Sequence, residues 1–215
     1  MDRDALISLV QGRMQRSDNT AYAQLEVLVA QRELEQNPFL PWFLLNINDS
    51  LVTVAGTETV AIPTGLLREV DEEPTGLWRI DATQTPTQYV PLRKYTSYTE
   101  LLDKYRYDEN GVPKGYFLSG SQYRIRPIPD AVYGLRAMYY LADTVLTSNT
   151  TNNWTNLATD VMAARLGMLL TRYDVDKTVH DMFVQDLQTA LARLQVFDES
   201  RRQAGLDAIA GGDDL

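Results

Sequence analysis

The sequence contains no cysteine among its 215 residues, and its only histidine is His180. Without cysteine the chain forms no disulfide, offers no thiolate ligand to zinc and has no thiol nucleophile. A Ser-His-Asp triad would have to use His180, which we interpret as a partly exposed residue of a helix. The sequence also lacks phosphate-binding glycine loops, dinucleotide glycine motifs and paired-histidine metal motifs. We therefore predict a protein that is not an enzyme and that uses no cofactor or metal.

Long apolar runs are missing as well. No stretch approaches the roughly 18 apolar residues of a membrane-spanning helix, and the start of the chain lacks the order of a signal peptide. The 20 lysines and arginines stand against 29 acidic residues, which gives a formal charge of −9. Such a charge disfavours a general DNA-binding surface, because it repels phosphates. With 44% hydrophobic residues, the composition predicts a folded protein that is neither membrane-bound nor conventionally secreted.

Hydrophobic spacing divides the chain into helical, β-rich and helical zones. Residues 1–41 carry apolar side chains at helical spacing over 2–15 and 19–37, and residues 143–204 predict two more helices. Helices with one apolar stripe must bury it against a partner. We therefore predict a four-helix bundle built from both chain ends. Its predicted shared core contains Leu9, Leu25, Val161, Phe183 and Leu187.

Residues 42–142 predict a β-rich lobe inserted into the bundle, so that the fold class is α+β. Alternation and a glycine turn predict a β-hairpin over 116–126. Ser97 and Glu100 form a capping box at the start of a short helix. Residues 131–141 are open to two interpretations, since alternating apolar residues favour a strand and the Ala, Leu and Met content permits a helix. We favour the strand, because Pro127 and Pro129 precede it and aromatic residues are dense.

Tyrosine, of which the chain has 12, is concentrated in this β-rich zone. Rings that stack on single-stranded nucleic acid are normally interleaved with lysines, and lysine is scarce in the zone. We expect these rings in the core and at interfaces between subunits.

Two charged groups of the β-rich zone are candidates for contacts between copies of the chain. They are Asp71, Glu72 and Glu73 on one side and Arg124, Arg126 and Arg136 on the other. Taken alone, the acidic run is a solvated turn or a ligand set for a hard cation. The arginines alone are the wet face of a sheet or phosphate contacts. In an oligomer, the arginines of one subunit would meet the carboxylates of its neighbour.

After the predicted final helix, residues 205–215 are sparse in bulky side chains. The segment has too little apolar material to fold alone, which is typical of segments that order on binding a partner. It either folds back on its own bundle or serves as a docking arm. As a docking arm, its contact residues would be Arg201, Arg202, Leu206, Ile209 and Leu215.

Several short motifs follow one another in a fixed order along the chain. They comprise Pro63, Arg68, Trp78, Gly111, Pro113, Tyr116, Gly120, Ile125, Pro127, Ile128, Pro129, Asp130, Tyr133, Leu135, Tyr139, Tyr140 and Trp154. With the helix pairs at both ends, this order resembles the head–tail adaptor, or connector, proteins of tailed bacteriophages, especially short-tailed phages.

The resemblance implies a helical bundle with a β-rich insertion and no catalytic residues. It also implies a ring of this chain, typically with 12 copies, between the portal protein and the distal tail or nozzle proteins. Adaptor C-termini commonly reach along the portal, which would assign residues 205–215 to portal docking. Double-stranded DNA would pass through the ring without specific binding, and the protein would belong to the virion neck after assembly in the host cytoplasm. The alternatives are another neck or tail-completion protein, a monomeric binding module, or a metal-dependent nuclease or hydrolase.

Overall fold

The computed structural model describes residues 1–16, 20–70, 76–174 and 177–210, with side chains described up to Arg201. Its helices are α1 (Arg3–Met14), α2 (Thr20–Glu35), α3 (Tyr98–Lys104), α4 (Asn153–Leu157), α5 (Thr159–Thr171) and α6 (Thr178–Ala210). Its strands are β1 (Leu45–Val52), β2 (Thr59–Ala61), β3 (Leu66–Glu69), β4 (Leu77–Asp81), β5 (Gln88–Pro91), β6 (Arg93–Lys94), β7 (Asn110–Gly111), β8 (Gly115–Ser119), β9 (Gln122–Arg126), β10 (Ile128–Pro129) and β11 (Gly134–Leu141). The α+β class is thereby confirmed.

The chain divides into two compact units. One, the helical unit, combines Met1–Leu44 with the chain from Ala142 onward, and the other, the β unit, is Leu45–Leu141. The β unit is one continuous stretch of the chain, whereas the helical unit combines segments from both ends.

Helix α5 is the centre of the helical unit. Neighbouring positions along it, from Val161 to Ala164, are all buried, as expected of a helix that is covered on every side. The helices α1, α2, α4 and α6 pack against it. The predicted four-helix bundle is not confirmed, because the helices are gathered around α5 and a fifth helix, α4, takes part.

Two of the five residues predicted for the shared core are wrong. Leu9 is 40% exposed and Leu25 is 64% exposed, whereas Val161, Phe183 and Leu187 are buried as expected. Helix α1 buries Leu6, Ile7 and Val10, beside Leu9 on its apolar side, and α2 buries Ala23, Val27, Ala30 and Leu34. At about 100° per residue, Leu25 lies on the side of α2 opposite this buried set.

Helix α6 buries one side chain at every third or fourth position. The buried residues are Phe183, Leu187, Ala190, Leu194 and Asp198. Phe183 contacts Gly167 of α5 so closely that a Cβ at position 167 would lie 2.4 Å from the ring. The helix continues to Ala210, six residues beyond its predicted end at 204. The predicted arm therefore begins within a helix.

In the β unit, β11 is the central strand of a five-stranded sheet with the order β1-β11-β4-β5. Strand β3 also pairs with β11, alongside β4. A second sheet has the order β2-β9-β8-β6. Residues 134–141 are thus a strand, and the helical interpretation of 131–141 is wrong. Buried residues of both sheets share one core: Val60, Leu77, Leu92, Tyr116, Tyr123, Ile125, Leu135, Ala137 and Tyr139.

The predicted hairpin over 116–126 is confirmed as β8 and β9. Gly120 lies in its turn with a φ of 58°, a left-handed conformation that favours glycine. The Ser97 side chain accepts a hydrogen bond from the Glu100 N–H, as predicted for a helix cap. The Glu100 carboxylate, however, accepts from the N–H and hydroxyl of Thr96.

Candidate functional site

Two of the predicted interface arginines share one carboxylate inside the β unit. Arg124 and Arg126, on strand β9, each form an ion pair with Glu58, which directly precedes β2. Arg126 also donates to the Tyr98 hydroxyl at 3.1 Å and to the carbonyl of Tyr107. Its side chain is only 1% exposed. The wet-face interpretation is therefore wrong for Arg126, because Glu58 satisfies its charge in the interior.

The third arginine, Arg136 on β11, contacts side chains from two other strands of the larger sheet, Asp49 of β1 and Tyr89 of β5. Its guanidinium donates two hydrogen bonds of 2.6 Å to the Asp49 carboxylate and stacks over the Tyr89 ring, with its carbon 3.7 Å from the ring centre. These hydrogen bonds lower the pKa of Asp49 and raise that of Arg136, since each favours the charged form. The side chains of the ion pair are partly exposed.

The acidic partners proposed for these arginines, Asp71, Glu72 and Glu73, lie outside the described residues. Contact between this run and Arg124 or Arg136 of a neighbouring copy stays a prediction. Both arginines already have a carboxylate partner within their own chain, so such a contact would add to that pairing or compete with it.

Glu69 is a buried carboxylate that the sequence analysis missed. It ends β3 in the larger sheet, and Lys94 of β6, in the other sheet, lies 2.8 Å from one of its oxygens. Burial raises the pKa values of Tyr116 and Tyr123, and the Glu69 charge raises both further. In the sequence Glu69 stands two residues before the acidic run and is indistinguishable from a surface carboxylate.

In the helical unit, a polar loop is fixed by hydrogen bonds, most of which are partly buried. The Asp143 carboxylate accepts from the N–H groups of Asn153 at 2.7 Å and Trp154 at 3.2 Å. Gln31 of α2 donates to the Asp143 carbonyl, and the Glu35 carboxylate accepts from the N–H of Asp143. The loop that precedes α4 therefore has a defined conformation, and the Trp154 side chain is buried beside it.

The described end of α6 contacts the segment that follows α2. Asp198 accepts a hydrogen bond of 2.6 Å from the Trp42 N–H. Arg201, a predicted portal contact, stacks over the Trp42 ring at 3.9 Å and over Phe197 at 5.4 Å. Among the other predicted contacts, the side chains of Arg202, Leu206 and Ile209 and the whole of Leu215 lie outside the described residues.

An open groove of about 290 Å³ lies where α4 and the start of α5 meet α6. It is lined by Leu157, Ala158, Asp160, Ala190, Arg193, Leu194 and Phe197. Leu157 is 50% exposed and Phe197 is 52% exposed, so that large apolar side chains face solvent here. The groove is the kind of surface that another protein chain covers.

The described residues contain no group of three or more histidine and acidic residues close enough to hold a metal ion. His180 lies on α6 with its Nδ1 3.2 Å from the Thr171 hydroxyl, which fits the predicted helix position. Within the same described part, no helix is both long and apolar enough to cross a membrane.

Over residues 1–210 the chain matches the family described as SU10 adaptor protein. It therefore belongs to that family, a family of structural phage adaptors, and the predicted resemblance to head–tail adaptors is confirmed. The family places the protein in the virion neck. No curated protein matches the chain.

Proposed function

We propose that the protein is the head-to-tail adaptor of a tailed phage, forming a ring that joins the portal to distal tail or nozzle proteins. The family match over residues 1–210 is the observation that carries this proposal. The ring would contain 12 copies and surround the channel through which DNA leaves the head. We infer that it assembles in the host cytoplasm.

The surface of the helical unit supports association with other chains. Large apolar side chains are exposed on α2 and α6, including Leu25, Val196 and Phe197. Monomeric soluble proteins rarely expose neighbouring apolar residues without a partner that covers them. The charge of −9 supports a channel through which DNA slides, because acidic walls repel phosphates.

Two further contacts belong to the proposal. Arg201, Arg202, Leu206, Ile209 and Leu215 would bind the portal from the end of α6. The partly exposed guanidinium groups of Arg124 and Arg136 would face the Asp71–Glu73 run of the next subunit.

The mass of the native assembly tests the ring directly. The purified chain is measured by native mass spectrometry, alone and with portal protein. A closed ring in either sample supports the proposal, and 12 copies supports the proposed stoichiometry. A monomer in both samples contradicts it.

Removal of residues 205–215 tests the docking arm. The truncated chain should keep its thermal stability and its ring, and should lose attachment to portal-bearing heads. A shorter deletion of residues 211–215 removes only Leu215 of the five proposed contacts and should weaken attachment less. Wild-type attachment by the chain that lacks 205–215 would assign the portal contact to another surface, such as the loop or helix face near Trp154.

A further inference from the structure

Helix α2 presents an exposed apolar ridge to solvent. Leu25 and Val29, one turn apart, are 64% and 38% exposed, and Arg32 follows them on the same side. An apolar stripe at this spacing is the form in which a helix packs into a groove on another protein. In the described part of the chain, nothing forms an ion pair with Arg32.

The ridge and the groove lie on opposite faces of α5. Arg165 of α5 bonds Glu33 of α2 at 2.6 Å, whereas Gly167 contacts Phe183 of α6. Two residues along an α-helix correspond to a rotation of about 200°, which places α2 and α6 on nearly opposite sides. With interaxial distances of 8–10 Å at each contact, the axes of α2 and α6 are about 16–20 Å apart. The ridge of one chain therefore cannot fill its own groove.

The charges beside the two surfaces are complementary. The ridge ends in Arg32, with Glu33 next to it, and the groove contains Asp160 and Arg193. Glu33 is already paired with Arg165 of its own chain, so Arg32 is the charge that the ridge offers to the Asp160 carboxylate of the groove. Opposite charges around an apolar contact fix its register and exclude wrong partners.

We propose that the α2 ridge of one copy packs into the α4–α5–α6 groove of the next copy. Leu25 and Val29 would cover Leu157 and Phe197, and Arg32 would meet Asp160. Two different surfaces on opposite sides of one unit make a head-to-tail contact, which closes into a ring when the rotation per copy allows it. This inference rests on the proposed ring and names the surfaces that form it.

The lack of cysteine in the chain makes a cross-linking test specific. A Leu25→Cys, Phe197→Cys double variant is treated with a short bismaleimide that spans less than the distance between α2 and α6. We expect a ladder of covalent oligomers on a denaturing gel, up to the size of the ring. The controls are each single variant and the pair Leu25→Cys, Val132→Cys, since Val132 is exposed in the β unit. None of the controls should give a ladder.

Three results would overturn the inference. Covalent dimers from the Leu25→Cys single variant would show that α2 contacts itself in a symmetric dimer. A wild-type ring without a ladder from the double variant would place the contact elsewhere, and the proposed function would stand. A wild-type chain that forms no ring, with or without portal, would remove both the inference and the ring on which it rests.

A charge exchange gives an independent readout. Arg32→Glu and Asp160→Arg should each weaken ring association about fivefold, a size expected for one partly exposed ion pair. The double variant should recover to within about twofold of wild type. If the losses of ring association caused by the two single changes add up in the double variant, Arg32 and Asp160 are not in contact. Circular dichroism checks that every variant is folded.

Discussion

In the helical unit the buried side chains of Gln31 and Glu35 form hydrogen bonds to a loop, whereas in the β unit buried charged side chains pair with one another. Gln31 and Glu35 of α2 bond the backbone at Asp143, and the apolar core around α5 has no role in this network. In the β unit, by contrast, Glu69 meets Lys94 of the other sheet, and Glu58 meets Arg126. The helical unit also has a buried carboxylate in an ion pair, Glu26, but its partner Arg172 is partly exposed, whereas Arg126 of the β unit is buried.

This difference predicts that the two units respond to different substitutions. Truncation of a buried apolar side chain destabilises the fold more as the cavity it leaves becomes larger. Removal of one partner of a buried ion pair also destabilises the fold, because the other charge stays buried and unpaired. Hydrogen exchange distinguishes the two responses, because it reports the protection of the backbone amides in each unit separately.

The largest effect is expected from Phe183→Ala. The ring is fully buried against Gly167, so its loss leaves a cavity and should cost about 3–5 kcal/mol in the helical unit. Amide exchange within α5 and α6 would measure this cost. The same substitution at the half-exposed Phe197 is the matched control and should cost less than about 1 kcal/mol. If amides of the β unit lose as much protection as those of α5 and α6, the two units unfold together and do not respond separately.

Glu58→Ala should destabilise the β unit by about 3 kcal/mol. The change leaves the buried Arg126 guanidinium without its carboxylate, while its partners Tyr98 and Tyr107 cannot neutralise the charge. The double variant Glu58→Leu, Arg126→Met removes both charges and should recover part of the loss. If the double variant is less stable than Glu58→Ala, packing and not the unpaired charge determines the effect. Exchange within β8 and β9 gives the measurement.

Asp143→Ala should cost about 1–2 kcal/mol in the helical unit. Its carboxylate accepts from two N–H groups at the start of α4, as a helix cap does. Asp143→Asn keeps one acceptor oxygen and should lose less than half as much. Exchange of the Asn153 and Trp154 amides reports the change at the site, and unchanged protection there would contradict the capping role.

The smallest effect concerns pH. The pKa of Asp49 is lowered in the folded chain, so its contribution is complete well above the unfolded value of about 3.9. It is lost as the pH falls below about 4 through the folded pKa. The ion pair is partly exposed, and we expect its contribution to stay below about 1 kcal/mol. Asp49→Asn should remove this part of the acid dependence, as measured by denaturant unfolding at pH 3–7. An identical pH profile would contradict the assignment.

Regular patterns in the sequence predicted the hairpin with Gly120, strand β11 and the Ser97 cap. Each of these depends on neighbouring residues, so that local alternation or turn chemistry is enough to identify it. The inner face of α2 was not predictable in this way. Ala23 and Ala30 carry little hydrophobic signal, so the pattern favours the stripe through the larger Leu25 as the inner face, whereas Ala23, Val27 and Ala30 form it.

The charged pairs of the β unit could not be predicted either. Glu58 and Arg126 are 68 positions apart, and Glu69 and Lys94 meet only because the two sheets pack against each other. The sequence around Glu69 gives no sign that its carboxylate will be buried. Two of the candidate assembly residues, Arg124 and Arg136, form partly exposed ion pairs with intrachain carboxylates that the sequence analysis did not predict.

Helix α6 runs unbroken for 33 residues, which is about 50 Å. A helix curves only gently unless a kink interrupts it, so a load on its last turns would be carried along its length. The hydrogen bond from the Trp42 N–H to Asp198 and the stacking of Arg201 hold the helix from the side, 12 and 9 residues before its end at Ala210. A sideways load on the final turns would therefore be resisted first at Trp42 and then by the packed contact between Phe183 and Gly167.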